Sequence, residues 1–218
     1  MGYLKRLASE AGLPLPQYEP TKQEASEAID FLLAKLGRKV DQVIPDWSTL
    51  LGRSDVMIVD TETTGIGPRS QVIEVAVLDT AGFPYYHALS LPQGRISPKA
   101  IAIHGLSRER LRAEGARPWP EVHWELVETL SRATVVLAWN AGFDRRLLAQ
   151  TAERHGLTMP ELPWHDLMAD YRILMGERRG KGWHTLSAAV RRSGARVSGQ
   201  AHRAMRDCEA VLAVMRAV

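Results

Sequence analysis

Residues 56–65 read Val-Met-Ile-Val-Asp-Thr-Glu-Thr-Thr-Gly, and the way this stretch divides decides the fold. Residues 56–59 form a short apolar run, largely β-branched, which is the pattern of a buried strand. Asp60 and Glu62 follow at its carboxyl end, and residues 63–67 carry turn chemistry. On an extended backbone residues i and i+2 point to the same side, so both carboxylates face one spot. Two acids that close repel each other unless something positive lies between them. A divalent cation answers that need, and an all-oxygen site suits Mg²⁺ or Mn²⁺ rather than zinc. A lone Asp-x-Glu could equally cap a strand in a solvated turn, so the rest of the chain has to decide.

Two further clusters stand downstream. Trp139-Asn140-Ala141-Gly142-Phe143-Asp144 follows another buried-looking run, residues 134–138, and His202-Arg203-Ala204-Met205-Arg206-Asp207 lies near the C-terminus. Together DTETTG, NAGFD and HRAMRD resemble the three motifs of the DEDD superfamily of 3′–5′ exonucleases. The histidine five residues before the last aspartate matches the DEDDh branch, the type of bacterial proofreading subunits. Ile103-His104-Gly105-Leu106 resembles that branch's HG element. Trp164-His165-Asp166-Leu167 resembles its strand-to-helix turn after the second motif. The resemblance covers about residues 53–218. It implies an α/β, ribonuclease-H-like fold: a mixed five-stranded sheet flanked by helices.

The same resemblance implies a division of labour. Asp60, Glu62, Asp144 and Asp207 would hold two divalent cations, Mg²⁺ or Mn²⁺, and His202 would act as general base. Thr63, Gly65, His104, Asn140, Phe143 and Arg203 are the residues expected on the substrate side. His104 could instead simply end a helix beside Gly105, and Asn140 could be a turn residue at a strand end. Spacing adds a constraint of its own. Five residues along one helix turn a side chain by about 140° from its starting direction. His202 and Asp207 therefore cannot both face the cations from one regular helix. His202 is expected on the loop before that helix, reaching back toward the attacking water.

Charge and composition fit a nuclease. The 218 residues carry 28 basic and 25 acidic side chains, a formal charge of +3. If cations neutralise Asp60, Glu62, Asp144 and Asp207, the remaining surface is clearly basic, as a phosphodiester substrate would want. Arg108, Arg110 and Arg112, or Arg191, Arg192 and Arg196, read singly as solvated helix faces. Arg145, Arg146, Arg203 and Arg206 neighbour motif residues. The single Cys208 excludes an internal disulfide and a multi-cysteine zinc site, and agrees with a reducing, cytoplasmic setting. No apolar run nears 20 residues and no signal-peptide pattern is present, so no membrane association is expected.

Residues 1–52 read as an N-terminal helical extension with a connector, and residues 53–218 as the exonuclease domain. Thr21-Lys22-Gln23-Glu24 is a capping box, followed by Ala25, Ala28, Ile29, Leu32, Leu33 and Leu36 at helical spacing. That helix is expected to pack on the catalytic domain or a second copy, with docking to a partner such as a polymerase as the alternative. Strands over residues 72–78 and 85–91 make an antiparallel meander with the first. Helices are expected from residue 98, over 118–131, 142–155 and 166–175, near 183–193 and over 204–217, with strands at 134–138 and 162–165. Trp119, Val122, Leu126, Val127 and Leu130 form a buried stripe, and Trp124 falls on the same helix, which needs a core face. Residues 176–182 are a basic, glycine-bearing loop, and Trp183 beside it is a candidate for stacking on a base. The expected function is release of nucleoside monophosphates from single-stranded or frayed DNA 3′ ends. RNA trimming, polymerase proofreading and a non-catalytic binding module are the alternatives; the full set of carboxylates and histidine argues against the last.

Overall fold

Val56, Met57, Ile58 and Val59 are almost completely buried and open strand β1 (Val56–Thr63). The strand runs on through Asp60 and Glu62, further than the apolar run alone suggests. The reason is its neighbour: β2 (Val72–Asp79) supplies an antiparallel ladder that pairs Asp60 with Ala76 and Glu62 with Glu74. The register shifts between Glu62 and Thr63, a bulge of the kind that re-aims side chains at the end of a sheet. β3 (Pro84–Leu91) completes the expected meander. At its outer side Arg117–Pro118, β4, pairs in parallel with Ser90 and Leu91. On the other side of β1 lie β5 (Val135–Ala138) and then β6 (Trp164–Asp166), both parallel. The sheet order is β4-β3-β2-β1-β5-β6. It has six strands where five were expected; the extra one is two residues long, too short for any hydrophobic alternation to announce it.

This is a computed structural model, and it describes residues 46–175, 184–199 and 201–218, with isolated positions before residue 46. The chain divides into two units, Met1–Pro45 with Ile173–Gly180 and Asp46–Arg172 with Lys181–Val218. All three motifs lie in the second. Of the helix expected behind the capping box only isolated positions are described, and the loop over residues 176–182 and Trp183 lie outside the described residues. In the connector, Trp47 is 5 % exposed and its Nε1 donates to Asp170 Oδ2 at 2.9 Å. Leu50 O accepts from Thr80 Oγ1 at 2.6 Å. Residues 46–52 are thus tied to the motif-bearing unit.

Helix α1 (Pro98–His104) starts as its sequence dictates, with Ser97 Oγ accepting from Ala100 N and Pro98 in the first turn. It ends at Gly105, whose φ of 75° is the left-handed conformation favoured by glycine. α2 (Arg108–Ala113) was given no range from the sequence, where its arginines read only as a solvated helix face; Leu111 is its buried residue. On α3 (Trp119–Leu130) the buried stripe is Trp119, Val122, His123, Leu126 and Leu130. Trp124 is not on it and is 62 % exposed, because position 124 falls one step past the core-facing row. α4 (Ala141–Arg154), α5 (Leu167–Leu174), α6 (Leu186–Ser193) and α7 (Ala204–Ala217) complete the set.

Alternation along β1 sorts the core. Met57 and Val59 pack with Val75 and Val77 against α3 and against Leu147 and Leu148 of α4. Burying one such aliphatic side chain contributes about 1.5–3 kcal/mol. Cys208 of α7 lies over the same two strands, its Sγ 3.6 Å from Ile58 O and 3.7 Å from Ala76 O. The small side chain of Ala76 allows that close approach. Among the described residues no helix is long and apolar enough to cross a membrane.

Candidate active site

Strand alternation sends Asp60 and Glu62 to one side of β1 and Thr61 to the other. Thr61 then serves α4: its Oγ1 donates to Asp144 Oδ1 at 2.7 Å. Asp144 sits in the first turn of α4 and is 5 % exposed, where the helix dipole favours a negative charge. Asn140 precedes that helix. Its carbonyl accepts from Phe143 N at 2.8 Å, and its side chain makes no capping bond, so it positions the second motif through the backbone.

Asp207 lies in the first turn of α7, 9 % exposed. Its Oδ2 accepts from His202 N at 3.2 Å and its Oδ1 from Arg206 Nη1 at 3.0 Å. His202 stands two residues before the helix, off it, as the five-residue spacing requires. Its φ of 61° makes it the one non-glycine residue with positive φ among the described residues. That left-handed conformation costs energy and is held only where surrounding contacts fix it. The reversal brings the exposed imidazole back toward the carboxylates: one ligand atom each from Glu62, His202 and Asp207 lie within 4.8 Å of one another.

The electrostatics are those of a crowded acidic site. Burial, then Asp144, Asp207, Glu62 and Glu74, push the Asp60 carboxyl well above its usual range. Burial, then Asp207, Glu74 and Asp144, raise Glu62 to about 8, with Arg203 opposing. Burial raises Asp144 to about 7, against the opposing pull of the Thr61 hydrogen bond. Burial also raises Asp207, with Arg206 opposing. Four acids whose carboxyls are all raised by burial, Asp60 and Glu62 also by Asp144 and Asp207, are a fitting donor set for hard divalent cations, which would remove that cost.

The other anticipated residues divide. Phe143 is half-buried, with the Arg146 guanidinium 5.5 Å from its ring centroid. Thr63 Oγ1 donates to Gly65 O at 2.7 Å, which shapes the turn leaving β1. His104 is 1 % exposed and both ring nitrogens are used within the protein. Nδ1 accepts from Leu106 N at 2.9 Å, so Nε2 carries the proton and donates to Thr63 O at 3.1 Å. It braces the end of β1 against α1, and offers a nucleotide no free ring atom. Arg203, expected to meet substrate, is instead committed to protein carboxylates: Nε donates to Glu74 at 3.0 and 3.1 Å, and Nη2 to Glu114 at 3.2 Å. Arg145 pairs with Glu161 at 3.2 Å on the surface.

Glu74 is the residue that the sequence reading missed. Its side chain is 1 % exposed, directly opposite Glu62 in the ladder. The available signal was a carboxylate inside an eight-residue strand that is buried throughout.

The exonuclease family model (RNase_T) matches residues 57–215, from β1 through α7. The chain belongs to the exonuclease family. This exonuclease is 33 % identical over 173 residues to a protein of Escherichia phage 186 described as an uncharacterised exonuclease, covering 75 % of the chain and 88 % of that relative. Among solved structures, exonuclease X in complex with 5′-overhanging duplex DNA aligns with 25 % identity and a TM-score of 0.56, over 74 % of this chain and 90 % of that one. The nuclease domain of 3′hExo, a DEDDh family member bound to rAMP, has the same fold at 17 % identity and a TM-score of 0.61, over 74 % and 90 % of the two chains. The exonuclease is thus a nuclease and a hydrolase acting on nucleic acid.

Proposed function

We propose that this exonuclease hydrolyses DNA from the 3′ end, acting on single-stranded or frayed termini and releasing nucleoside monophosphates. One observation carries the reading: one ligand atom each of Glu62, His202 and Asp207 lie within 4.8 Å of one another at one end of β1, where Asp144 and Asp207 raise Asp60 and Glu62 above their usual range. Asp60, Glu62, Asp144 and Asp207 would hold two divalent cations, Mg²⁺ or Mn²⁺. When bound, these supply charge stabilisation for the attacking and leaving oxygens of an in-line displacement. The chain's own residues do the rest. His202 accepts the proton of the attacking water as general base. Thr61 keeps Asp144 from turning away, and Thr63 Oγ1 shapes the turn after β1 through Gly65 O. Phe143, with the Arg146 guanidinium 5.5 Å from its ring centroid, would meet the substrate from α4. Residues 1–52 are read as an extension of the catalytic domain, with 46–52 packed on it. The relative solved with 5′-overhanging duplex DNA supports DNA as the polymer.

Digestion of end-labelled DNA and RNA, each single- and double-stranded, with Mg²⁺, Mn²⁺ or chelator, tests the assignment. Single-stranded DNA should be shortened fastest, and only with cation present. Faster shortening of RNA would replace the polymer and leave the reaction type standing.

A further inference from the structure

Glu74 belongs to neither motif nor cation site, yet two of its three side-chain partners, Arg203 and Ala204, lie in the third motif. Its Oε1 lies 2.7 Å from His87 Nε2, both its oxygens accept from Arg203 Nε, and its Oε2 accepts from Ala204 N at 3.3 Å. Ala204 is the first residue of α7, and Arg203 stands at its N-cap with no side-chain cap bond of its own. The first turn of a helix leaves backbone N–H groups unpaired, and here a carboxylate from β2, 130 positions earlier in the sequence, satisfies one. His202 is the next residue back, and its backbone is held by Asp207 alone from the helix side. Two carboxylates paired across one ladder therefore have different partners: Glu62 has a ligand atom within 4.8 Å of His202 and Asp207, and Glu74 is bound to His87, Arg203 and Ala204 N.

We propose that Glu74 is a positioning residue for hydrolysis: by gripping Arg203 and Ala204 N it fixes the start of α7 and so holds His202 in its left-handed turn over Glu62 and Asp207. This rests on His202 being the general base. A base displaced by about 1 Å loses up to about 10²-fold in rate without loss of substrate binding.

The test is a double-mutant cycle on the full chain, with Glu74→Gln and His202→Ala, reading kcat and KM on single-stranded DNA and Mn²⁺ affinity by calorimetry. Glu74→Gln should lower kcat by about 10- to 100-fold, leave KM and Mn²⁺ affinity within about threefold, and cost nothing further in the His202→Ala background. An unchanged kcat per folded molecule overturns the proposal. So does an equal loss in both backgrounds, or a Mn²⁺ affinity that falls with kcat, which would place the effect on Asp207. If Glu74→Gln does not fold, Arg203→Gln cuts the same link while leaving Glu74 its other two partners, and the same outcomes decide. Full turnover in His202→Ala alone would identify the base reading as the part that fails.

Discussion

His202 pays for its position in backbone strain, with a φ of 61° on a residue that is not glycine, and a helical placement would have avoided it. The strain makes sense if the imidazole must face the same point as Asp207 from the opposite direction. Replacing His202 by Ala removes the ring and leaves the carboxylates on β1, α4 and α7 untouched. Turnover should fall by about 10²–10⁴, the range for a positioned general base, while calorimetric Mn²⁺ binding survives. Near-full turnover in that variant would place the base elsewhere. Residue types and spacing made His202 and the four acids candidates, because their chemistry shows in the letters DTETTG, NAGFD and HRAMRD. Glu74, and the commitment of Arg203 to it, were not legible. Those roles exist only once 129 residues of chain have folded back.

At the scale of elements, the joint between β1 and α4 combines the packing of Met57 and Val59 with Leu147 and Leu148 and a side-chain hydrogen bond from Thr61 to Asp144. Thr61→Val keeps the shape and removes the donor, leaving a buried carboxylate oxygen without its partner. Urea denaturation in chelator should show a loss of about 1–3 kcal/mol; an unchanged midpoint would mean the bond contributes nothing net. The strands of the meander and β5 were readable from their apolar runs, whereas β6, expected at 162–165, lies at Trp164–Asp166 and has no apolar run. The continuation of β1 through Asp60 to Thr63 was not readable, since it depends on the ladder with β2 rather than on local propensity. β4 and α2 escaped for the same reason: two and six residues carry too little pattern, and backbone pairing or a single buried Leu111 decides them.

For the whole molecule, the acidic cluster links folding to pH and cation. Folding raises Glu62 to about 8 and Asp144 to about 7, and raises Asp60 and Asp207 as well. In an unfolded chain such groups titrate near 4. Between those limits the folded state binds more protons than the unfolded one, so stability falls with rising pH. The contribution is fully present below about pH 4 and is lost as pH rises through about 8. The exposed pairs Arg53–Asp55 and Arg117–Glu125 hold Asp55 and Glu125 at about 2, and these act in the opposite sense only in acid. In chelator, Tm should drop between pH 5.5 and 8.5, and Mg²⁺ or Mn²⁺ should raise it more at pH 8.5 than at 5.5. A chelated protein more stable at pH 8.5 would contradict the burial of these acids as a charged cluster.

The claim on which all of this depends is that the carboxylates at the end of β1 act together, with cation, to cleave from a 3′ end. A time course on 5′-labelled single-stranded DNA with Mg²⁺, comparing the unaltered chain with Asp60→Ala and Asp207→Ala, tests it most directly. The account predicts a ladder that shortens one nucleotide at a time from the 3′ end, abolished by chelator, restored by added Mg²⁺, and absent in both variants although they still bind DNA in part. Undiminished cleavage by either variant, or in chelator, would contradict it.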